Sequence, residues 1–174
     1  MSSDEKKLHQ RLIRQLNQSL RVLEKQLAGI DEKKWELKPA GGGWSIAEIV
    51  HHVILVEVQR LQELKDLLAG RKHGAAPGAI ERPDIAAIRR RERLVKTGPE
   101  FEPTSGIPPK VLMKALLRAR KETLVFVESV DLAKLAEVWL STKLLGALNG
   151  TEFLDFLAAH TERHATQIAA VKHD

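Results

Sequence analysis

Apolar residues recur along this chain at the spacing of a helix rather than of a strand. From Asp4 to Gly29 they fall at Leu8, Leu12, Ile13, Leu16, Leu20, Val22, Leu23 and Leu27, one stripe of an amphipathic helix that Gly29 ends. Pro39 and the triplet Gly41-Gly42-Gly43 mark Ile30 to Trp44 as a connection. Ser45-Ile46-Ala47-Glu48 has capping-box spacing, so a second helix is predicted from that cap to Gly70. Five of the seven prolines and four glycines lie between Gly70 and Pro109, where only Asp84 to Lys96 reads as a short helical piece. A third helix is predicted from Pro109 to Glu128, with apolar positions Val111, Leu112, Ala115, Leu116, Ala119, Leu124 and Val127. Residues 129–149 read as a connection with a short element around Leu132 to Leu140. A fourth helix follows from Thr151 to Lys172, capped by Asn149 or Thr151. No run of four to eight residues alternates convincingly as a strand.

Four long helices in 174 residues predict an all-α fold, a four-helix bundle in one domain over residues 1–174. The connection between the second and third helices is long enough to travel the length of a bundle. Those two helices can then run parallel, in an up-down-down-up arrangement.

Composition narrows the chemistry. The chain has no cysteine, which excludes disulfides, thiolate-held zinc or iron–sulfur clusters, and a thiol nucleophile of its own. Its seven histidines and its carboxylates are what remains to hold a metal. The start of the chain has no apolar signal region and no stretch is long enough for a membrane span, so a cytoplasmic protein with no membrane partner is expected. Net charge is +5, from 28 Lys and Arg against 23 Asp and Glu, with much of the excess in Arg89-Arg90-Arg91-Glu92-Arg93.

The fourth helix places histidines on its core stripe, which runs Phe153, Leu157, His160, His164, Ile168, Val171. Two imidazoles at i and i+4 stack on one face and can reach one metal ion, whereas a single histidine there reads as a buried polar residue bonded to backbone or water. A shared metal satisfies both rings at once. The second helix offers His51 and His52. At 100° per residue, His52 lies at the edge of the inward stripe of Ile46, Ile49, Val53 and Val56, and His51 points away from it. His52 is therefore the third expected ligand and His51 a rim residue. Glu162 is two residues after His160, not one as in a zinc-protease helix, and faces away, so a zincin is rejected. Glu57, about 140° round the helix from His52, is expected to face a neighbouring helix or solvent. Gln167 either orients the His164 ring or is a plain polar residue at the bundle edge. Trp44 either lines the mouth of the site or staples the helix start. His9, His73 and His173 are expected at the surface.

These motifs resemble a known family. Trp44-Ser45-Ile46-Ala47-Glu48-Ile49-Val50-His51-His52 is similar to the second-helix signature of the DinB/YfiT-like metalloenzymes. His160, His164, Gln167 and Ile168 resemble the H-x-x-x-H-x-x-Q-[IL] pattern of the family's last helix, and Leu148-Asn149-Gly150-Thr151-Glu152-Phe153-Leu154 its entry. The resemblance implies an up-down-down-up bundle holding a divalent metal, nickel or zinc, on His52, His160 and His164. It also implies a small-molecule substrate, with a low-molecular-weight thiol cofactor and S-transfer or isomerisation among the family's reactions. Apolar positions beyond four facing stripes suggest a homodimer, as in relatives. One departure stands out: Ser141-Thr142-Lys143-Leu144-Leu145-Gly146 lacks the His-Pro that many members carry there, so substrate contacts from that region do not carry over.

Two other classes of function compete. One is a metal-binding scaffold or sensor without turnover. The other is a nucleic-acid module using Arg89, Arg90, Arg91 and Arg93, disfavoured because no base-stacking aromatics or docking motif accompany the run. No general acid or base is assigned from the sequence.

Overall fold

A computed structural model describes residues 3–75, 84–90, 97–143 and 145–172. Helix α1 spans Ser3–Leu27 and buries Leu12, Leu16, Ser19, Leu23 and Leu27, the predicted stripe with one serine inserted in it. Gly29 ends it with φ of 72°, a left-handed backbone that costs glycine little. The following connection buries Trp35 in a 3-10 turn over Glu32–Trp35 whose start Asp31 caps.

Helix α2 spans Ile46–Leu68, and its predicted capping box is complete. The Glu48 amide donates to Ser45 Oγ at 3.3 Å, and the Ser45 amide donates to Glu48 Oε2 at 2.8 Å. Burial opposes ionisation of Glu48, but the Ser45 amide and the Lys38 ammonium at 3.0 Å outweigh it and hold the carboxyl below its usual range. Short α3 (Ile85–Arg90) packs on the last long helix. Helix α4 spans Pro109–Ser129 and short α5 Leu132–Glu137; α6 spans Gly150–Val171, with Asn149 rather than Thr151 as its cap.

Packing at the two ends gives the topology. One apolar cluster joins Leu12 and Leu16 of α1, Leu64 and Leu67 of α2, Val127 of α4, and Phe153, Phe156 and Leu157 of α6. The other joins Leu23 and Leu27 of α1, Ile46, Ile49 and Val53 of α2, Leu112 and Leu116 of α4, and Ala165 and Ile168 of α6. The starts of α1 and α6 thus share one end of the bundle with the ends of α2 and α4. The four long helices run up, down, down, up, as expected, with α2 and α4 parallel.

Two features depart from the sequence reading. Within residues 129–149, expected to be a connection with a short element around Leu132 to Leu140, β1 (Trp139–Thr142) and β2 (Gly146–Asn149) pair as an antiparallel hairpin. Strands of four residues are too short to show alternation, and this pair is held by packing on α5 and α6. Gly150 is required at the hairpin–helix junction, where a Cβ would stand 2.5 Å from the Leu135 carbonyl oxygen. On α4, Val111 is 55% exposed, while Arg120 and Thr123 occupy the interior instead.

Arg89 is ion-paired to Glu162 of α6, so this member of the arginine run is tied to the bundle. Arg91, Arg93 and His173 lie outside the described residues, as does the end of the predicted short helix up to Lys96. Among the described residues no helix is long and apolar enough to cross a membrane.

Removing the α2 cap tests how far this helix start depends on it. Ser45→Ala is expected to lower the free energy of unfolding in urea by about 1 kcal/mol; an unchanged midpoint would show that packing alone sets the start of α2.

Candidate metal centre

The Ser45 cap fixes where α2 begins, and His52 then falls on the second turn, facing α6. On α6 the steps from Phe153 through Leu157 to His160 and His164 keep one face inward, so both rings enter the interior one turn apart. The three imidazoles meet there, each buried to within 5–7% of full burial. Ring centroids stand 5.2 Å apart for His52 and His160, 4.9 Å for His52 and His164, and 4.4 Å for His160 and His164. The Nε2 atoms converge: His160 Nε2 lies 3.3 Å from His52 Nε2 and 3.1 Å from His164 Nε2.

Hydrogen bonds on the far side of two rings decide which nitrogens face inward bare. His52 Nδ1 donates to the Phe101 carbonyl at 2.9 Å, and His164 Nδ1 donates to Gln167 Oε1 at 2.9 Å. Carbonyl and amide oxygens only accept, so in the neutral rings both Nδ1 atoms carry the proton and both Nε2 atoms present a lone pair. A single proton on His160 Nε2 can point at only one of its two neighbours.

A cation at the convergence satisfies all three nitrogens. Two imidazoles about 2.1 Å from one tetrahedral ion stand about 3.4 Å apart, close to the 3.1 and 3.3 Å found here. The cluster fits a metal site, and it is the group of metal-ligating side chains found among the described residues.

Electrostatics favour the bare, neutral rings that a metal needs. Burial pushes His160 well below the ordinary imidazole range, and the neighbouring His164, His52, Arg163 and Arg60 push the same way. Burial also lowers His52, against a smaller opposing pull from the Phe101 carbonyl.

Around the cluster, Trp44 lies 4.7 Å from the His52 ring and Phe156 5.7 Å from the His160 ring, centroid to centroid. Trp44 is thus both packed against the helix start and in contact with the site. His51 stands outside it, accepting the Thr104 amide at 2.9 Å on Nδ1. His9 is bonded to the Glu5 carbonyl at the other end of the bundle, and His73 is exposed. Glu57 faces a neighbouring helix, where it meets Arg120.

Sequence reasoning missed one contributor to the site and one buried pair near it. The Phe101 carbonyl comes from the connection between α2 and α4, and no residue type marks a backbone acceptor. The Arg120–Glu57 pair was detectable in principle: Ser19, Glu57, Thr123 and Thr161 are polar residues on interior faces of four different helices, the same interior into which Arg120 points.

Comparison with known proteins agrees with this architecture. The family model of the DinB superfamily matches residues 15–168. The uncharacterized protein YuaE of Bacillus subtilis (strain 168) is 24% identical over 147 residues, which is 84% of this chain and 88% of the relative. YfiT from Bacillus subtilis, described as "a probable metal-dependent hydrolase with an unusual four-helix bundle topology", superposes with a TM-score of 0.66. The match covers 99% of this chain and 89% of that one at 13% identity, a likeness of fold.

The depressed histidines make the metal-free protein acid-sensitive. A ring that stays neutral in the fold but takes a proton near pH 6.5 when unfolded favours unfolding below that pH, by up to about 1.4 kcal/mol per pH unit for each such group. Urea unfolding of metal-free protein should therefore show stability falling as pH drops from about 6.5, with a shallower fall in His160→Leu. Equal slopes for the two proteins would contradict the burial-driven shift.

Proposed function

This chain belongs to the DinB superfamily, and from that footing we propose that it is a divalent-metal-dependent enzyme acting on a small molecule, with His52, His160 and His164 as the metal ligands. The observation that carries the reading is the convergence of three Nε2 atoms, two of them stripped of their proton by Phe101 and Gln167. Imidazole-only ligation suits nickel and zinc. Three protein ligands leave coordination positions free, the arrangement of catalytic rather than closed structural sites.

A divalent ion so held supplies Lewis acidity, acidifying a bound water or thiol and polarising an electrophile. The chain's own residues do the rest. Phe101 and Gln167 fix the tautomer and tilt of two rings, and Trp44 and Phe156 wall two of them with apolar surface. Apolar walls limit water and keep the imidazoles neutral.

For the nucleophile, the YfiT description supports water and hydrolysis, and the thiol-using relatives implied by the sequence resemblance support S-transfer or isomerisation. With no cysteine in the chain, any thiol must come from a small cofactor. Exposed Val58, Leu117 and Val125 on α2 and α4 support a homodimer, and a cytoplasmic setting accompanies this reading. A monomer mass by light scattering would remove the dimer.

Metal analysis of tag-free protein tests the core of the proposal. Wild type is expected to hold about one equivalent. His52→Ala, His160→Ala and His164→Ala should each weaken binding more than about 100-fold, and Gln167→Ala by about 10-fold, the range for a group that only orients a ligand. Full occupancy in His52→Ala, or none in metal-replete wild type, would overturn it. Ester and amide substrates assayed with and without small thiols then separate hydrolysis from thiol transfer; inactivity of the metal-loaded protein on every arm would favour a non-catalytic metal site.

A further inference from the structure

One buried ion pair lies beside the three-histidine cluster and takes no part in it. Arg120 of α4 is 1% exposed, and all five of its N–H groups have acceptors. Nε donates to Glu57 Oε1 at 2.7 Å and Nη2 to Glu57 Oε2 at 3.0 Å, a two-pronged grip on the carboxylate. Nη2 also donates to Thr161 Oγ1 at 3.0 Å, and Nη1 to Ser19 Oγ at 2.9 Å and to the Leu16 carbonyl. Thr123 Oγ1 donates to Glu57 Oε1 at 2.8 Å. One guanidinium thereby joins α1, α2, α4 and α6.

Burying such a pair gains little stability, because desolvation offsets the attraction and apolar residues of similar volume fill the space as well or better. What directed hydrogen bonds add is register. Apolar packing is non-directional, and the buried faces of α6 beside His160 and His164 are small, with Ala158, Ala159 and Ala165. Small side chains interlock weakly against axial sliding. The fork of Arg120 grips α6 at Thr161, the residue after His160, and α2 at Glu57, five residues beyond His52.

We infer that the Arg120–Glu57 pair is a positioning device for the metal site, holding α6 in axial register against α2 so that His52 meets His160 and His164. The inference rests on the metal-site reading above. It assigns Arg120, Glu57 and Thr161 to ligand placement, with no contact to the metal or substrate.

Cobalt(II) binding by the full chain, followed by its visible absorption bands, tests it. The double variant Glu57→Leu/Arg120→Met leaves no unpaired buried charge and is expected to fold with wild-type helicity and thermal midpoint or better. Its cobalt affinity should fall by about 10-fold or more, the size of a ligand-orienting effect, with altered band positions or intensity. Thr161→Val removes only the grip on α6 and covers the case in which the double variant does not fold; it should weaken cobalt binding severalfold, and Thr161→Ser, which keeps the hydroxyl, should restore it. Leu64→Ala, a core truncation far along α2, controls for stability and should leave affinity and spectrum unchanged.

Wild-type affinity and spectrum in the folded double variant, or in Thr161→Val if only that one folds, would overturn the inference while leaving the metal reading intact. Equal loss in Leu64→Ala would overturn it too, since general loosening would then explain the effect. Wild type that takes up no cobalt overturns the metal reading and the inference with it.

Discussion

The Arg120 guanidinium, with every N–H group engaged inside the bundle, is the interaction around which the rest of the structure is arranged. Its acceptors come from α1, α2 and α6, so a helix displaced along its axis would break a bond to a buried charge, and leaving such a charge unpaired is strongly unfavourable. The two apolar clusters sit on either side of this polar layer. Hydrophobic burial brings the helices together. The guanidinium selects one of the several registers at which they could pack.

Topology and site chemistry are linked through the connection between α2 and α4. Parallel α2 and α4 need a return passage along the bundle, and the connection that makes it includes the described residues 97–108. That passage is also what brings the Phe101 carbonyl to His52 Nδ1 and seats the Phe101 ring under the Arg60 guanidinium, 4.9 Å away. A tight loop between α2 and an antiparallel neighbour would have left His52 without that acceptor and free to hold its proton on either nitrogen. The chain path thus supplies part of what orients the three-histidine cluster.

Burial acts on this site in two directions. It disfavours the protonated rings, which is the condition for metal binding at neutral pH, and it leaves neutral nitrogens facing one another in a poorly solvated interior. A cation held there would relieve the second effect and benefit from the first. The same imbalance accounts for the acid sensitivity expected of the chain without metal.

The helices, their caps and the inward pair His160 and His164 were legible in the sequence because they depend on local terms: a 3.6-residue period, a serine three residues before a glutamate, a glycine past a helix end. That His52 rather than His51 turns inward was legible for the same reason, since neighbouring residues on one helix differ by a fixed angle. The β hairpin was not, because strands of four residues carry no period and exist through their packing on α5 and α6. Val111 at the surface and Arg120 in the core were not, because propensity and hydropathy rank a valine inside and an arginine outside until a carboxylate, two hydroxyl side chains and a carbonyl from other helices are shown to surround the arginine. Local sequence settled which faces turn inward. Only the tertiary structure settled what each face meets, because pairing energies between groups distant in the chain, here Phe101 with His52 and Glu57 with Arg120, are set by a chain path that no local pattern encodes.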